Sequence, residues 1–159
     1  MSSAIRIRRA IATDIPAIRE THLASIRGLC GGAYTPEQID KWTSNRDLDR
    51  YAPMVTPRFH CLVAVDDAAL GGFGTVDLEK SEISSLFTRP EYAGAGLAGS
   101  VLRQLEEAAR EHGLHTLSLE STINARRFYL KHGYQVLAPT TKRFSTGLEI
   151  DCFQMQKLL

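Results

Sequence analysis

The sequence predicts an α/β domain of the α+β kind: a mixed, mostly antiparallel sheet of about six or seven strands flanked by helices. Three observations predict it. Cys61 to Val65 and Leu70 to Leu78 are apolar runs separated by Asp66-Asp67, the pattern of a hairpin. Glu82 to Thr88, a long helical pattern and then Thr116 to Leu119 make one strand–helix–strand crossover in mid-chain. Two helix-period segments lie between a short N-terminal strand and the hairpin. The 159 residues suffice for one domain, 1–159, with a sizeable core.

The elements follow in order. Ile5-Arg6-Ile7-Arg8 alternates as a half-buried strand does. Thr13 or Asp14 is placed to cap a helix with Pro16 in its first turn, and Ile15, Ile18, His22, Ile26 and Leu29 share one face of it. Gly31-Gly32 ends that pattern. Thr35-Pro36-Glu37-Gln38 is a capping box opening a second helix, with Ile39 and Trp42 inward. After the hairpin and the Glu82 to Thr88 strand, Pro90 and a glycine-rich stretch lead into a helix striped by Leu97, Val101, Leu105, Ala108 and His112, with Gly113 as C-cap. Asn124 to His132 is a short helix ended by Gly133. Tyr134 to Leu137 and Ile150 to Met155 are the last strands, joined by a polar loop, Thr140 to Gly147.

Composition removes several function classes. Nineteen basic residues against 18 acidic ones leave no general attraction to nucleic acid or an anionic membrane. Met1 to Arg9 lacks the apolar core of a signal peptide, and no run approaches a membrane span. Cys30, Cys61 and Cys152 are widely spaced and odd in number, which argues against a disulfide framework or a zinc site, so no metal is expected and a reducing cytoplasm fits.

The glycine-rich turn, Gly94-Ala95-Gly96-Leu97-Ala98-Gly99, is the first candidate site. The opening N–H groups of a helix have no internal partners and carry partial positive charge, and glycine lets a phosphate approach the backbone. Gly94, Gly96 and Gly99 also satisfy the dinucleotide pattern G-x-G-x-x-G, with Glu120 where a ribose-binding acid would stand. Against that reading, Arg89 to Ala93 intervene between the strand and the first glycine, a hairpin precedes the unit, and only 39 residues follow Glu120. There is no Walker A Gly-Lys-Ser/Thr.

The run from Leu86 through Pro90 to Ala98 resembles the acetyl-CoA motif of the GNAT superfamily of N-acetyltransferases, Q/R-x-x-G-x-G/A after a strand and a proline. Ala93, Gly96 and Ala98 occupy its fixed places, and Ala93 departs where Gln or Arg is usual. Asn124-Ala125-Arg126-Arg127-Phe128-Tyr129, continued to Gly133-Tyr134, resembles the family's N-A-x-x-F-Y-x-x-x-G-F/Y block. Ile5 to Ala17 and Met155-Gln156-Lys157 look like the family's ends, so the resemblance covers nearly the whole chain.

The resemblance implies acetyl transfer from acetyl-CoA, as co-substrate, to an amine by direct attack. The backbone at Phe87 and Thr88 would pair with the pantetheine arm and supply a donor to the carbonyl oxygen. The amides of Gly94, Ala95, Gly96, Leu97, Ala98 and Gly99 would take the pyrophosphate, and Asn124 would bond the arm near the thiol. Tyr129 matches the family's general acid. Glu120 and Glu82 are the candidate general bases, Glu120 preferred because some members carry a base there. In this family the first two helices and the loop between the last strands shape the acceptor pocket, which makes Arg27, Tyr34 and Trp42, with Lys142 and Arg143, the acceptor candidates. The basic members of that set hint at an anionic group on the acceptor. His60, His112, His115 and His132 are read as structural. The acceptor, a small-molecule or protein amine, is not identified, and a homodimer is left open. A non-catalytic CoA sensor and a nicotinamide-dependent oxidoreductase are the rivals.

Overall fold

The structure, a computed structural model, describes residues 4–44, 46–67 and 69–159; Met1 to Ser3 of the N-terminal stretch lie outside them. Seven strands form one sheet: β1 (Arg6–Arg9), β2 (Phe59–Val65), β3 (Leu70–Asp77), β4 (Glu82–Thr88), β5 (Thr116–Thr122), β6 (Gln135–Arg143) and β7 (Glu149–Leu158). Helices α1 (Ile15–Leu29) and α2 (Pro36–Thr43) precede β2, α3 (Leu97–Glu111) crosses from β4 to β5, and α4 (Arg126–Lys131) precedes β6. The strand order is β1-β2-β3-β4-β5-β7-β6. Every pair is antiparallel except β4 with β5. The mixed sheet is the one predicted, at the upper strand count.

Local chemistry sets the helix starts. At α2 the Gln38 amide donates to Thr35 Oγ1 at 3.1 Å, and the Thr35 amide donates to Gln38 Oε1 at 2.9 Å, a closed capping box. At α1 the expected side-chain cap is absent. Asp14 turns back to accept the Ile11 amide at 2.8 Å and both guanidinium nitrogens of Arg8, so it closes the preceding 3-10 turn instead.

Three predicted details shift. Leu29 is 37% exposed, because the last turn of α1 leaves the sheet. The buried stripe of α3 runs through Val101, Leu102, Leu105, Glu106 and Ala109, and His112 is exposed. The phase is rotated because buried Glu106 belongs to the stripe. Its carboxylate accepts Lys157 Nζ at 2.9 Å and the Tyr134 hydroxyl at 2.9 Å, which ties α3 to β7 and the end of α4. Breaking that pair by removing Lys157 would leave a buried charge, a loss of about 3–5 kcal/mol. Finally, Thr140 to Arg143 is not loop but the end of β6, registered as Thr140↔Cys152 to Arg143↔Glu149. β5 likewise runs on to Thr122, which places Glu120 inside a strand rather than at its end.

The glycines of β3 set the depth of the core. A Cβ on Gly74 would lie 2.7 Å from Leu105 Cδ1, and one on Gly72 would lie 2.5 Å from Leu97 Cδ2. α3 therefore rests against the β3 backbone and brings its N-terminus beside the end of β4. Leu105 is fully buried there, and Leu105→Ala would cost about 2–5 kcal/mol.

Candidate active site

The site begins where two strands part. β4 and β5 are registered at a single pair, Glu82↔Ser118, supported by the Ser118 amide donating to the Ser81 carbonyl at 3.0 Å. Beyond it the strands diverge. On the opposite flank, β3 and β4 change register between Thr75 and Val76, and Ser84 is the extra residue, a bulge that bends β4 away. The Arg89 amide donates to the Gly71 carbonyl at 2.8 Å. Antiparallel alternation then turns the Phe87 amide toward β3 and leaves the amides of Leu86 and Thr88 facing the gap.

Adjoining cavities that share walls follow this gap. At its outer end a cavity of about 470 Å³ is lined by Gly94, Gly96, Leu97, Ala98 and Gly99. Gly94 and Gly96 have φ of +78° and +82°, which only glycine adopts without strain, and a Cβ on either would meet nothing within 4 Å. Gly96 is the N-cap of α3 and offers no side chain, and the first helical bond runs from Ser100 to the Gly96 carbonyl at 3.1 Å. The amides of Leu97, Ala98 and Gly99 are thus free to bind an anion. Gly99 has a second duty: a Cβ there would lie 2.9 Å from His132 Nε2. Arg103, Lys131 and His132 line the same cavity, and the first two add positive charge. Sequence reasoning passed over Arg103 and Lys131 and read His132 as structural; their helical spacing showed nothing until α3 and α4 converged.

Next, a channel of about 130 Å³ is lined by Cys30, Leu86, Thr88, Asn124, Phe128 and Tyr129 among others. It shares Thr88, Ala98 and Phe128 with the glycine cradle. Burial pushes the Cys30 thiol up to about 11, with a hydrogen bond to Asn124 opposing, so it stays protonated near neutrality. A third cavity of about 70 Å³ shares Leu86, Phe87, Thr122, Ala125 and Tyr129 with the channel, and adds Glu120, Lys142 and Cys152. Tyr129 stands at this junction. Burial alone raises its phenol above the ordinary range, so it holds its proton. Glu120 faces the same cavity, 3.6 Å from the Cys152 thiol, which burial and this carboxylate push up to about 11.

The last cavity, about 280 Å³, opens beyond Ser84, Ser85 and Phe87. Its walls include His22, Trp42, Arg46, Arg50, Tyr51, Lys142 and Phe144. His22 packs edge-on against Phe87 with ring centroids 4.4 Å apart and shares a 2.8 Å hydrogen bond with the Tyr51 hydroxyl. Burial, then the charges of Arg46 and Lys142, push its imidazole down to about 3, so it is neutral.

The sequence candidates distribute over this groove unevenly. Phe87, Thr88, Asn124, Tyr129, Glu120, Trp42 and the glycine run line it, although Ala95 is not among the cradle's walls and the Phe87 amide faces β3, so that Leu86, not Phe87, presents a backbone donor beside Thr88. Glu82 lines none of these cavities; it sits half-buried at the β4–β5 contact, where burial raises its carboxyl. Arg27 is exposed on α1 and lines none of them. Tyr34 is buried away from the groove, where its hydroxyl donates to the Asp151 carbonyl at 2.6 Å and accepts the Ile123 amide at 3.0 Å. Arg143 pairs with Glu149 at the surface, at 2.9 Å.

Comparison with known proteins agrees with this fold. A family model described as an acetyltransferase (GNAT) domain matches residues 30–159. The uncharacterized N-acetyltransferase YedL of Escherichia coli (strain K12) is 34% identical over 77 residues, 45% of this chain and 48% of YedL, so the match spans about half of that relative. A GCN5-related N-acetyltransferase from Rhodopseudomonas palustris superposes with a TM-score of 0.91 at 24% identity, covering 100% of this chain and 99% of that one. The PaiA N-acetyltransferase of Thermoplasma acidophilum, solved with coenzyme A, superposes at 0.74 with 21% identity, over 98% and 99% of the two chains. With the family model spanning most of its length, the chain belongs to the GNAT acetyltransferase family.

Proposed function

We propose that the protein transfers the acetyl group of acetyl-CoA to a primary amine by direct attack. The observation that carries this reading is the groove itself, a row of four cavities that share walls from the glycine cradle past Tyr129 and Glu120 to the aromatic cavity. The free amides at the start of α3, with Arg103 and Lys131, suit a pyrophosphate. The pantetheine arm fits as an added strand in the β4–β5 gap, bonded to the Leu86 and Thr88 amides and reached by Asn124. One of those amides would also stabilise the carbonyl oxygen as charge develops on it.

The proton balance assigns the side chains. A primary ammonium with a reference pKa of about 10.4 must lose one proton before attack, and Glu120 can accept it, directly or through a water, and release it to solvent. The C–N bond forms and the C–S bond breaks, and CoA leaves as the thiol with the proton of Tyr129. The second proton of the nitrogen then passes, directly or through a water, to the tyrosinate and restores the phenol. Burial keeps that phenol protonated until the thiolate appears beside it. Glu82 lines none of the cavities, yet its carboxyl feels the charges of Glu120 and Lys142, and it stands as the second candidate base.

The rival readings differ in their outcomes. A CoA sensor would use the same groove without turnover. A nicotinamide enzyme would want a parallel, doubly wound sheet, whereas here β4–β5 is the single parallel pair. The test is steady-state acetyl transfer across an amine panel by wild type, Tyr129→Phe and Glu120→Gln. Tyr129→Phe should lower kcat about 100-fold and Glu120→Gln at least about tenfold, with acetyl-CoA affinity unchanged. Unaltered rates in both variants would remove these roles.

A further inference from the structure

The far cavity is charged on one side only. Arg46, Arg50 and Lys142 line it, no aspartate or glutamate does, and among the described residues none of the three forms a salt bridge. They come from different segments. Arg46 follows α2 and is held by its Nε donating to the Trp42 carbonyl at 2.9 Å. Arg50 lies in a 3-10 turn, and its Nη2 donates to the Ser145 hydroxyl at 3.3 Å. Lys142 projects from β6. Arg46 and Lys142 both stand over the Phe144 ring, at 5.5 and 5.6 Å from its centre. Like charges gathered on one ring repel each other, and Arg46 is half-buried besides. Among the described residues none supplies a counter-charge there. A second observation points the same way. The Ser85 hydroxyl, on a wall common to this cavity and the reacting one, is buried without a hydrogen-bond partner.

The remaining walls are mostly aromatic rings, with the neutral His22 imidazole, the Tyr51 phenol, Pro53, Met54 and Ser84 among them, and the volume is at the small end for a ligand pocket. One carboxylate, Glu120, faces the groove at the other side of Ser84 and Ser85. Lys142 stands on the wall shared by the two cavities, so the groove runs from Glu120 at the reacting end, past Lys142, to Arg46 and Arg50 at the far end.

We propose that the acceptor is a small amine carrying an anionic group, carboxylate or phosphate, on an apolar body, with the anion held by Arg46, Arg50 and Lys142 and the amine directed to Glu120 and Tyr129. The inference rests on the acetyl-transfer reading for the reacting end, but the far end can be tested alone. Trp42 is the single tryptophan and lines this cavity, so its fluorescence reports an occupant. Three probes share one body: L-phenylalanine, 1-amino-2-phenylethylphosphonate and 2-phenylethylamine; spermidine is the polycation. Each is titrated against Trp42 fluorescence and assayed for acetyl transfer.

One or both anionic probes should bind and be acetylated with kcat/KM at least about tenfold above 2-phenylethylamine, and spermidine should be poorest. The better of the two anions identifies the source. Arg46→Gln should erase that preference mainly through KM, Lys142→Met should weaken it, and Lys41→Gln, on the exposed face of α2, should leave it intact. Lys142→Met also keeps the test open if Arg46→Gln fails to fold. Anion binding without any acetyl transfer would support the pocket and refute the transfer reading. Equal or better turnover of 2-phenylethylamine or spermidine, or no response to either anion, would overturn the proposal.

Discussion

The two ends of the groove are built from different materials. The proposed cofactor end is mostly backbone: positive-φ glycines, a bare N-cap and the uncapped amides of α3. The proposed acceptor end is almost wholly side chain, with rings and cations brought in by α1, α2, the 3-10 turns before β2, and β6. Backbone recognition demands small residues at fixed spacing along one stretch of chain. It suits a ligand common to a whole family. Side-chain recognition draws on separate segments and can change wall by wall while the sheet stays as it is, which suits an acceptor that differs from member to member.

The largest effect should follow from breaking the backbone end. Gly96→Glu puts a side chain at φ +82° and a negative charge where the pyrophosphate is expected. Acetyl-CoA affinity by calorimetry should fall more than about 100-fold, while the αL strain of about 1–2 kcal/mol lowers the unfolding temperature only modestly. Affinity within a factor of about two of wild type would remove the phosphate cradle from the account.

A smaller effect tests whether side chains assist at that end. Arg103→Gln and Lys131→Gln should each weaken acetyl-CoA binding about three- to tenfold and flatten its salt dependence. These two cations stand near the place where the family pattern has Gln or Arg and this chain has Ala93. Unchanged affinity in both would mean the amides suffice.

A third effect, on stability rather than affinity, reads the proposed acceptor end through pH. Unfolded, His22 takes a proton as pH falls through 6.5; folded, it stays neutral until about pH 3. Its contribution is complete above pH 6.5 and is lost as pH falls through that window, at up to about 1.4 kcal/mol per unit. Between pH 6.5 and 4.5, above the range of the depressed carboxyls Asp14 and Asp77, wild type should lose about 2 kcal/mol that His22→Asn does not. Parallel stability curves for the two proteins would show that the cavity admits a charged imidazole.

The same contrast explains what was legible in the sequence. The capping box at Thr35 and Gln38, the hairpin and the glycine turn each depend on neighbours in the chain, and each could be found there. The stripe of α3 was misphased because Glu106 is charged, and only Lys157 and Tyr134, distant in sequence, make its burial tolerable. β6 was cut short because Thr140 to Arg143 is exposed on an edge strand and shows no apolar alternation; pairing with β7 alone defines it. Trp42 carried a local signal, being large and apolar on a helix. Arg46, Arg50 and Tyr51 carried none, for nothing near them in sequence marks a pocket wall. Arg27 and Tyr34 were chosen by segment, and the fold turns one to solvent and the other to backbone contacts.

The central claim is that acetyl-CoA lies in the gap between β4 and β5. Thermal unfolding with acetyl-CoA, CoA and NADH in turn tests it most directly. A ligand at 100 times its dissociation constant stabilises the native state by about 2.7 kcal/mol, a shift of several degrees for a domain of this size. The account predicts that shift with acetyl-CoA and CoA and none with NADH; a shift with NADH alone would contradict it.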